Sequence, residues 1–253
     1  MTARASKGIT LFWQILVVAA VIAGWELLVR SGAVNPILLA SPSSIAFGLP
    51  NLFAATYNDL ALTLFELFTG FALSIIVGVL IGLVMGTSDD LRGALFPYVT
   101  NVYALPKIIL FPLFLLIFGF GLNLNIMFGF FHGIFPIALN TLAGMKQVKR
   151  SLIYAAISMG VSGRALYAKV IIPSMMPSLL TGFRLGLIST LVGVVVAEEL
   201  VATGGMGAVI IDAAVAFEPA RMYGAIALTA IMAVVVNQIM MSLQSKLDSW
   251  RVR

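Results

Sequence analysis

"YAAISMGVSGRALYAKVIIPSMMP", residues Tyr154 to Pro177, is the stretch on which the reading of this chain turns. It carries Gly160, Gly163, Arg164 and Lys169 between two apolar runs, near 124–144 and 177–201, each long enough to cross a bilayer. A polar interruption of that kind is a connection between two membrane helices. Its mix of small, apolar and basic residues suits a short amphipathic helix better than a loose loop.

Outward from this stretch the chain stays apolar. Of its 253 residues 61% are hydrophobic and 10% charged, against about 45–50% and about 25% in soluble domains. The mean hydropathy is +1.09. This composition predicts an all-α polytopic membrane bundle forming one domain over 1–253, with six spans near 10–30, 60–86, 105–121, 124–144, 177–201 and 222–244. The first is read as an uncleaved membrane helix, because no small-x-small site follows its apolar run. Asn35–Asn58, with Pro36, Pro42 and Pro50, reads as an irregular or surface-lying connection. Ser88–Ala104 opens on Asp89, Asp90 and Arg92, and is read as lying along the membrane face or thickening the third span.

Lys and Arg set the orientation. With both termini inside, the inner side collects Arg4, Lys7, Arg92, Lys146, Lys149, Arg150, Arg164, Lys169, Lys246, Arg251 and Arg253, whereas the outer side receives Arg30 and Arg221. The net charge of +5 is therefore a topology signal and no nucleic-acid footprint. The absence of cysteine excludes disulfides, thiolate metal sites and cysteine nucleophiles. In the second span Gly70, Ser74, Gly78, Gly82 and Gly86 recur every fourth residue and share one helical face. That face is read as a packing seam inside the chain, with a homodimer seam as the other reading.

The inner connection also carries a spaced motif. It reads Tyr154-Ala155-Ala156, three residues, Gly160, nine residues, then Val170-x-Ile172-Pro173. This resembles the cytoplasmic pattern of ATP-binding-cassette importer membrane subunits, glutamate-alanine-alanine followed at the same spacing by glycine and then isoleucine-x-leucine-proline. Tyrosine replaces the glutamate here. Further stretches are similar to permeases of the nitrate, sulfonate, taurine and bicarbonate group: "LPKIILFPLFLLIFGFG" (Leu105–Gly121), "FPIALNTLAG" (Phe135–Gly144), "TGFRLGL" (Thr181–Leu187), "VVAEEL" (Val195–Leu200) and Trp250.

The resemblance implies a type I importer fold in a bacterial cytoplasmic (inner) membrane, with a coupling helix over about 151–163 seated on a separate ATPase. It implies two ATPase subunits, a second permease copy as a homodimer, and an extracytoplasmic solute-binding protein. It implies no catalytic residue, metal or cofactor in this chain, since ATP and Mg belong to the ATPase. Small Ala155 and Ala156 suit a close partner contact, Gly160 a sharp exit, and Pro173 and Pro177 a helix start. Ser151 is the expected cap, with Arg164 and Lys169 set to meet acidic groups. The solute is implied only as small and polar or anionic. Nitrate, sulfonates, taurine, bicarbonate and heterocyclic vitamin precursors all fit.

Ionisable groups at membrane depth are the candidate pathway or gate residues: Glu66, His132, Glu198 and Glu199. Glu66 stands where related permeases commonly carry arginine. His132 in "GFFHGIF" is read as a hydrogen-bonded packing residue before a ligand, and Arg184 as a structural cation. Adjacent helical positions point about 100° apart, so only one of Glu198 and Glu199 faces inward. Gly204, Gly205 and Gly207 read as an outer turn before an anion cradle. The competing function is an intramembrane enzyme using His132 with Glu198 or Glu199 as acid–base groups or metal ligands; the chain has one histidine and neither HExxH nor GxSxG. A plain membrane scaffold accounts for the glycine stripe but not for the spaced motif.

Overall fold

The computed structural model describes residues 2–35, 37–201 and 203–248. Pro36, Trp250, Arg251 and Arg253 lie outside them. The helices are α1 (Thr2–Arg30), α2 (Pro42–Ala55), α3 (Tyr57–Thr87), α4 (Asp89–Ala104), α5 (Phe111–Phe118), α6 (Leu122–Gln147), α7 (Arg150–Ser158), α8 (Gly163–Leu166), α9 (Ile172–Val201), α10 (Gly205–Val215) and α11 (Pro219–Asp248). A 3₁₀ turn over Lys107–Leu110 precedes α5, and a π turn over Tyr167–Ile171 joins α8 to α9. No strand occurs among the described residues.

The centre of the bundle is the packing of α6 against α9 and α3. Glycine makes it possible. A Cβ added at Gly78 would lie 2.9 Å from the Ile134 carbonyl, at Gly82 2.6 Å from that of Ala138, and at Gly70 2.9 Å from that of Ile126. The α3 stripe is thus an intramolecular seam against α6, and is not available as a face for a second copy. A second stripe, Gly182, Gly186, Thr190 and Gly193 of α9, meets α6 in the same way. The three helices converge at Gly133, where a Cβ would sit 2.2 Å from Thr190 Oγ1 and 2.5 Å from Ser74 Oγ. Ser74 seals the junction by donating to its own Gly70 carbonyl (2.8 Å) and to that of Phe130 (2.9 Å).

Among the described residues five helices are long and apolar enough to span a membrane, Gly8–Arg30, Tyr57–Thr87, Leu122–Gln147, the continuous Gly163–Val201 and Pro219–Ser245, and the count is six when the bent pair Asp89–Ala104 and Lys107–Phe118 is taken as one broken span. The expected third span over 105–121 differs. Its α-helical part is only Phe111–Phe118, about 12 Å at 1.5 Å per residue, too short for a core of about 30 Å. Leu105 is extended (ψ 141°) because Pro106 follows it, and Gly119 (φ 68°) and Gly121 (φ 113°) end the helix. Lys107–Phe118 instead makes a pair with α4, bent by 95°, and the two are apolar enough to span only together, so residues 89–104 are a helix that adds to the third span.

The connection after α1 is also helical. Ser41 caps α2 by accepting the Ser44 N–H at 3.2 Å, and Pro42 occupies the first turn, where its missing N–H costs nothing. Pro50 is accommodated within the helix. α1 joins the rest through its C-terminal end: Glu26 accepts from the Ser43 N–H (3.0 Å) and hydroxyl (2.7 Å) while pairing with Arg30. Trp25 packs edge-on against Tyr223, with centroids 5.8 Å apart.

Candidate functional site

Two constellations stand at opposite ends of α3. At the end marked by Gly86 and Met145, α7 leaves α6 and leads into α9. On its inner face Ile153 packs on Val148, Ile171, Met175 and Leu179. Ala156 is only 3% exposed, so of the two motif alanines Ala155 alone remains on the surface. Leu152, Tyr154, Ile157 and Met159 are exposed, Tyr154 by 62%.

Gly160 ends α7 in a Schellman motif. The Val161 N–H donates to the Ala156 carbonyl at 3.0 Å, and the Gly160 N–H to that of Ile157 at 2.9 Å. This geometry needs a left-handed residue, and Gly160 has φ 81°. A Cβ there would touch nothing within 4 Å. Glycine is therefore required by the backbone and not by crowding. The helix closes at Ser158, short of the expected 163. Ser151 is not its cap; Lys149 holds that position, with no side-chain cap bond. Arg164, Lys169 and Pro173 are exposed, and neither cation forms an ion pair among the described residues. Pro173 is the second residue of α9, as a helix start allows, although no break separates α9 from the turn before it. It follows the π turn inside one helical run, and the wider turn accommodates a residue that cannot donate.

At the far end lies a buried polar cluster. Glu198 is fully buried and accepts from the Thr63 hydroxyl (2.7 Å) and the Gly207 N–H (2.8 Å). Thr63 Oγ1 accepts the Met206 N–H at 2.9 Å, and Asp59 Oδ1 the Gly205 N–H at 3.2 Å. The free N–H groups that open α10 are thus met by acceptors from α3 and α9. Gly204 and Gly205 (φ 142° and 86°) make the turn, and a Cβ on Gly205 would lie 2.1 Å from Glu198 Oε1. The glycine turn is closed on the chain's own Glu198 side chain, as an outer turn and not as a site for a foreign anion. Glu66, 1% exposed, lies beside Glu198 and accepts from Asn125 Nδ2 at 3.0 Å. Among the described residues Glu66 Oε2 and Asn125 Oδ1 have no hydrogen-bond partner.

The remaining candidates do not join this cluster. Glu199 points away and is partly exposed, as adjacency on a helix requires. His132 Nδ1 lies 2.8 Å from the Phe128 carbonyl of its own helix, not a neighbouring one; its ring packs on Phe128 and fills the space over Gly193. Arg184 forms no ion pair, and no group of three His, Cys, Asp or Glu suited to a metal exists among the described residues. His132 and Glu198 are held by separate partners and do not form an acid–base pair. The sequence reading missed Asp59, Thr63 and Asn125. Thr63 lies three residues before Glu66 on the same helix, and that spacing was its one available signal.

Comparison with known proteins fits this geometry. Residues 74–253 match the family described as binding-protein-dependent transport system inner membrane component. The chain is 32% identical to the formylaminopyrimidine transport permease protein ThiX of Halalkalibacterium halodurans over 78% of this chain and 77% of that one. It is 29% identical to the taurine transport system permease protein TauC of Escherichia coli over 97% and 91%. Among solved structures, an inward-facing MetNI methionine ABC transporter matches with a TM-score of 0.68 at 18% identity, covering 76% of this chain and 95% of that chain.

Proposed function

Since the chain belongs to the family of binding-protein-dependent transport system inner membrane components, and is the permease of an ATP-binding-cassette importer, we propose that α7 is the lever by which a separate ATPase drives it. The reading rests on the seat of α7: a short helix with exposed apolar side chains, fixed on its inner face to the ends of α6 and α9. Any force applied to α7 enters the two helices that form the bundle's centre. Tyr154, Ala155, Gly160, Arg164 and Pro173 form or flank that contact, and Ala156 anchors the helix from inside.

In this reading two such chains form the pathway, two ATPases bind ATP and Mg, and an external binding protein delivers the solute. Both termini are cytoplasmic, as the Lys and Arg distribution supports. The solute is a small polar or anionic molecule; relatives named for formylaminopyrimidine and taurine support that class. Glu66, Glu198 and the α10 turn form the far-side gate, with His132 and Glu199 outside it. Reconstitution in vesicles with the cognate ATPase and binding protein tests the lever. Gly160→Val is expected to abolish ATP-driven uptake while the chain still assembles, and unimpaired uptake would overturn the reading.

A further inference from the structure

Between α2 and α11, at the end of the bundle opposite α7, lies a cleft of about 420 Å³. Small residues open it: a Cβ on Gly48 would meet nothing within 4 Å, and Ala55 and Ala220 line it as well. Its polar walls are Ser44, Asn51, Asp59 and Arg221. One helical turn further along α11 begins a second feature, a wholly apolar groove of about 400 Å³ between α3 and α11. The two lie on one stripe of α11, since Arg221, Gly224, Leu228, Ile231 and Val235 follow the helical repeat. The opposite wall is equally continuous, passing from Asp59 to Leu60, Leu64 and Phe68.

The dimensions select an occupant. From Leu228 to Ile239 the groove runs along α11 for about 16 Å, close to the depth of one leaflet, about 15 Å. Its charged end coincides with the start of α3 and α11, where a headgroup would sit. The charge there is mixed: Arg221 is paired with Glu218 at 3.1 Å, and Asp59 lies on the facing wall. One guanidinium against two carboxylates disfavours a purely anionic headgroup. It complements a headgroup carrying both a phosphate and an ammonium.

We propose that the α2–α11 cleft and the α3–α11 groove together hold one phospholipid with a phosphoethanolamine headgroup, its phosphate at Arg221, its ammonium near Asp59 and one acyl chain along the groove.

The test is native mass spectrometry of the full chain extracted from vesicles of equal phosphatidylethanolamine and phosphatidylglycerol. One phosphatidylethanolamine per chain is expected to be retained over phosphatidylglycerol by about fivefold or more, the order that one charge contact supports. Gly48→Phe, which fills the cleft, and Ile231→Trp, which fills the groove, are each expected to reduce retention to the bulk lipid ratio with an unchanged melting temperature. Equal retention of the two lipids, or unchanged retention in both variants, overturns the proposal. So does displacement of the lipid by soluble glycerophosphoethanolamine, which would make the occupant a solute. Cross-linking of the Ile231→Cys variant to a second copy would also overturn it, because protein would then cover the groove.

Discussion

The Gly207 N–H donates to Glu198 Oε2 at 2.8 Å, across the turn that reverses the chain from α9 into α10. With Thr63 on the other oxygen, Glu198 holds three helices at one point. Glu198→Ala would leave the buried Gly207 N–H without its acceptor and the Thr63 hydroxyl with only the Asp59 carbonyl, at 3.1 Å, at a cost of about 1–3 kcal/mol. Glu198→Gln keeps a carbonyl oxygen for Gly207 and turns its amide toward Thr63 Oγ1, so it should lose less. Thermal melting in detergent should rank wild type above Glu198→Gln above Glu198→Ala. A Glu198→Ala chain that melts with wild type would show that the cluster does not stabilise the turn.

The α3 seam predicts a graded response to alanine. At Gly82 the added Cβ meets the Ala138 carbonyl at 2.6 Å and Thr141 Cβ at 2.4 Å, neither of which can swing aside. At Gly86 it meets the Met145 thioether, the end of a flexible side chain that can find another rotamer. Overpacking a tight site costs about 1–3 kcal/mol. Gly82→Ala should therefore lower the melting temperature and the yield of folded protein clearly more than Gly86→Ala. Equal losses would show that the seam is less rigid than its geometry indicates.

Gly160 separates conformation from contact. Nothing lies within 4 Å of a Cβ there, so Gly160→Ala carries only the left-handed backbone cost of about 1–2 kcal/mol. That cost falls on the end of α7 and not on the bundle. Gly160→Ala should leave global melting nearly unchanged while lowering ATP-driven uptake, and Gly160→Val, β-branched, should abolish it. If Gly160→Asn, which tolerates the left-handed region, restores uptake above the alanine variant, backbone geometry is the cause. Identical activity for Ala, Val and Asn would exclude that cause.

What the sequence made legible was local. The i, i+4 stripe of α3, the Gly160 exit and the inward turn of one of two adjacent glutamates follow from periodicity and φ preference, which act within a few residues. The Ser41-Pro42 cap of α2 was equally local and was obscured by the proline content around it. The Thr63–Glu198 and Asp59–Gly205 bonds join positions 135 and 146 residues apart, and no spacing rule reaches that far. The break at Pro106 was hidden for a different reason. Apart from Lys107 the residues from Leu105 to Phe118 stay apolar, whereas the backbone turns at Leu105–Pro106.

Tyr154 is 62% exposed, with Ile157 at 50% and Met159 at 76% following on the same short segment. Exposed tyrosine with neighbouring aliphatic groups is the composition of an interface centre, where the few dominant residues, tyrosine prominent among them, cost about 2 kcal/mol or more on truncation to alanine. Such a loss corresponds to a roughly thirtyfold weaker complex. Because Tyr154 is turned away from the Ile153–Ala156 face, Tyr154→Ala should leave the chain's own melting temperature unchanged. Co-purification with the ATPase and vectorial uptake should fall together. Tyr154→Glu, which supplies the glutamate of the motif that this stretch resembles, should retain more ATPase than Tyr154→Ala at low salt and lose that advantage at high salt, since an ion pair would replace apolar burial. A Tyr154→Ala chain that binds its ATPase at wild-type affinity would place the coupling surface elsewhere on the inner face.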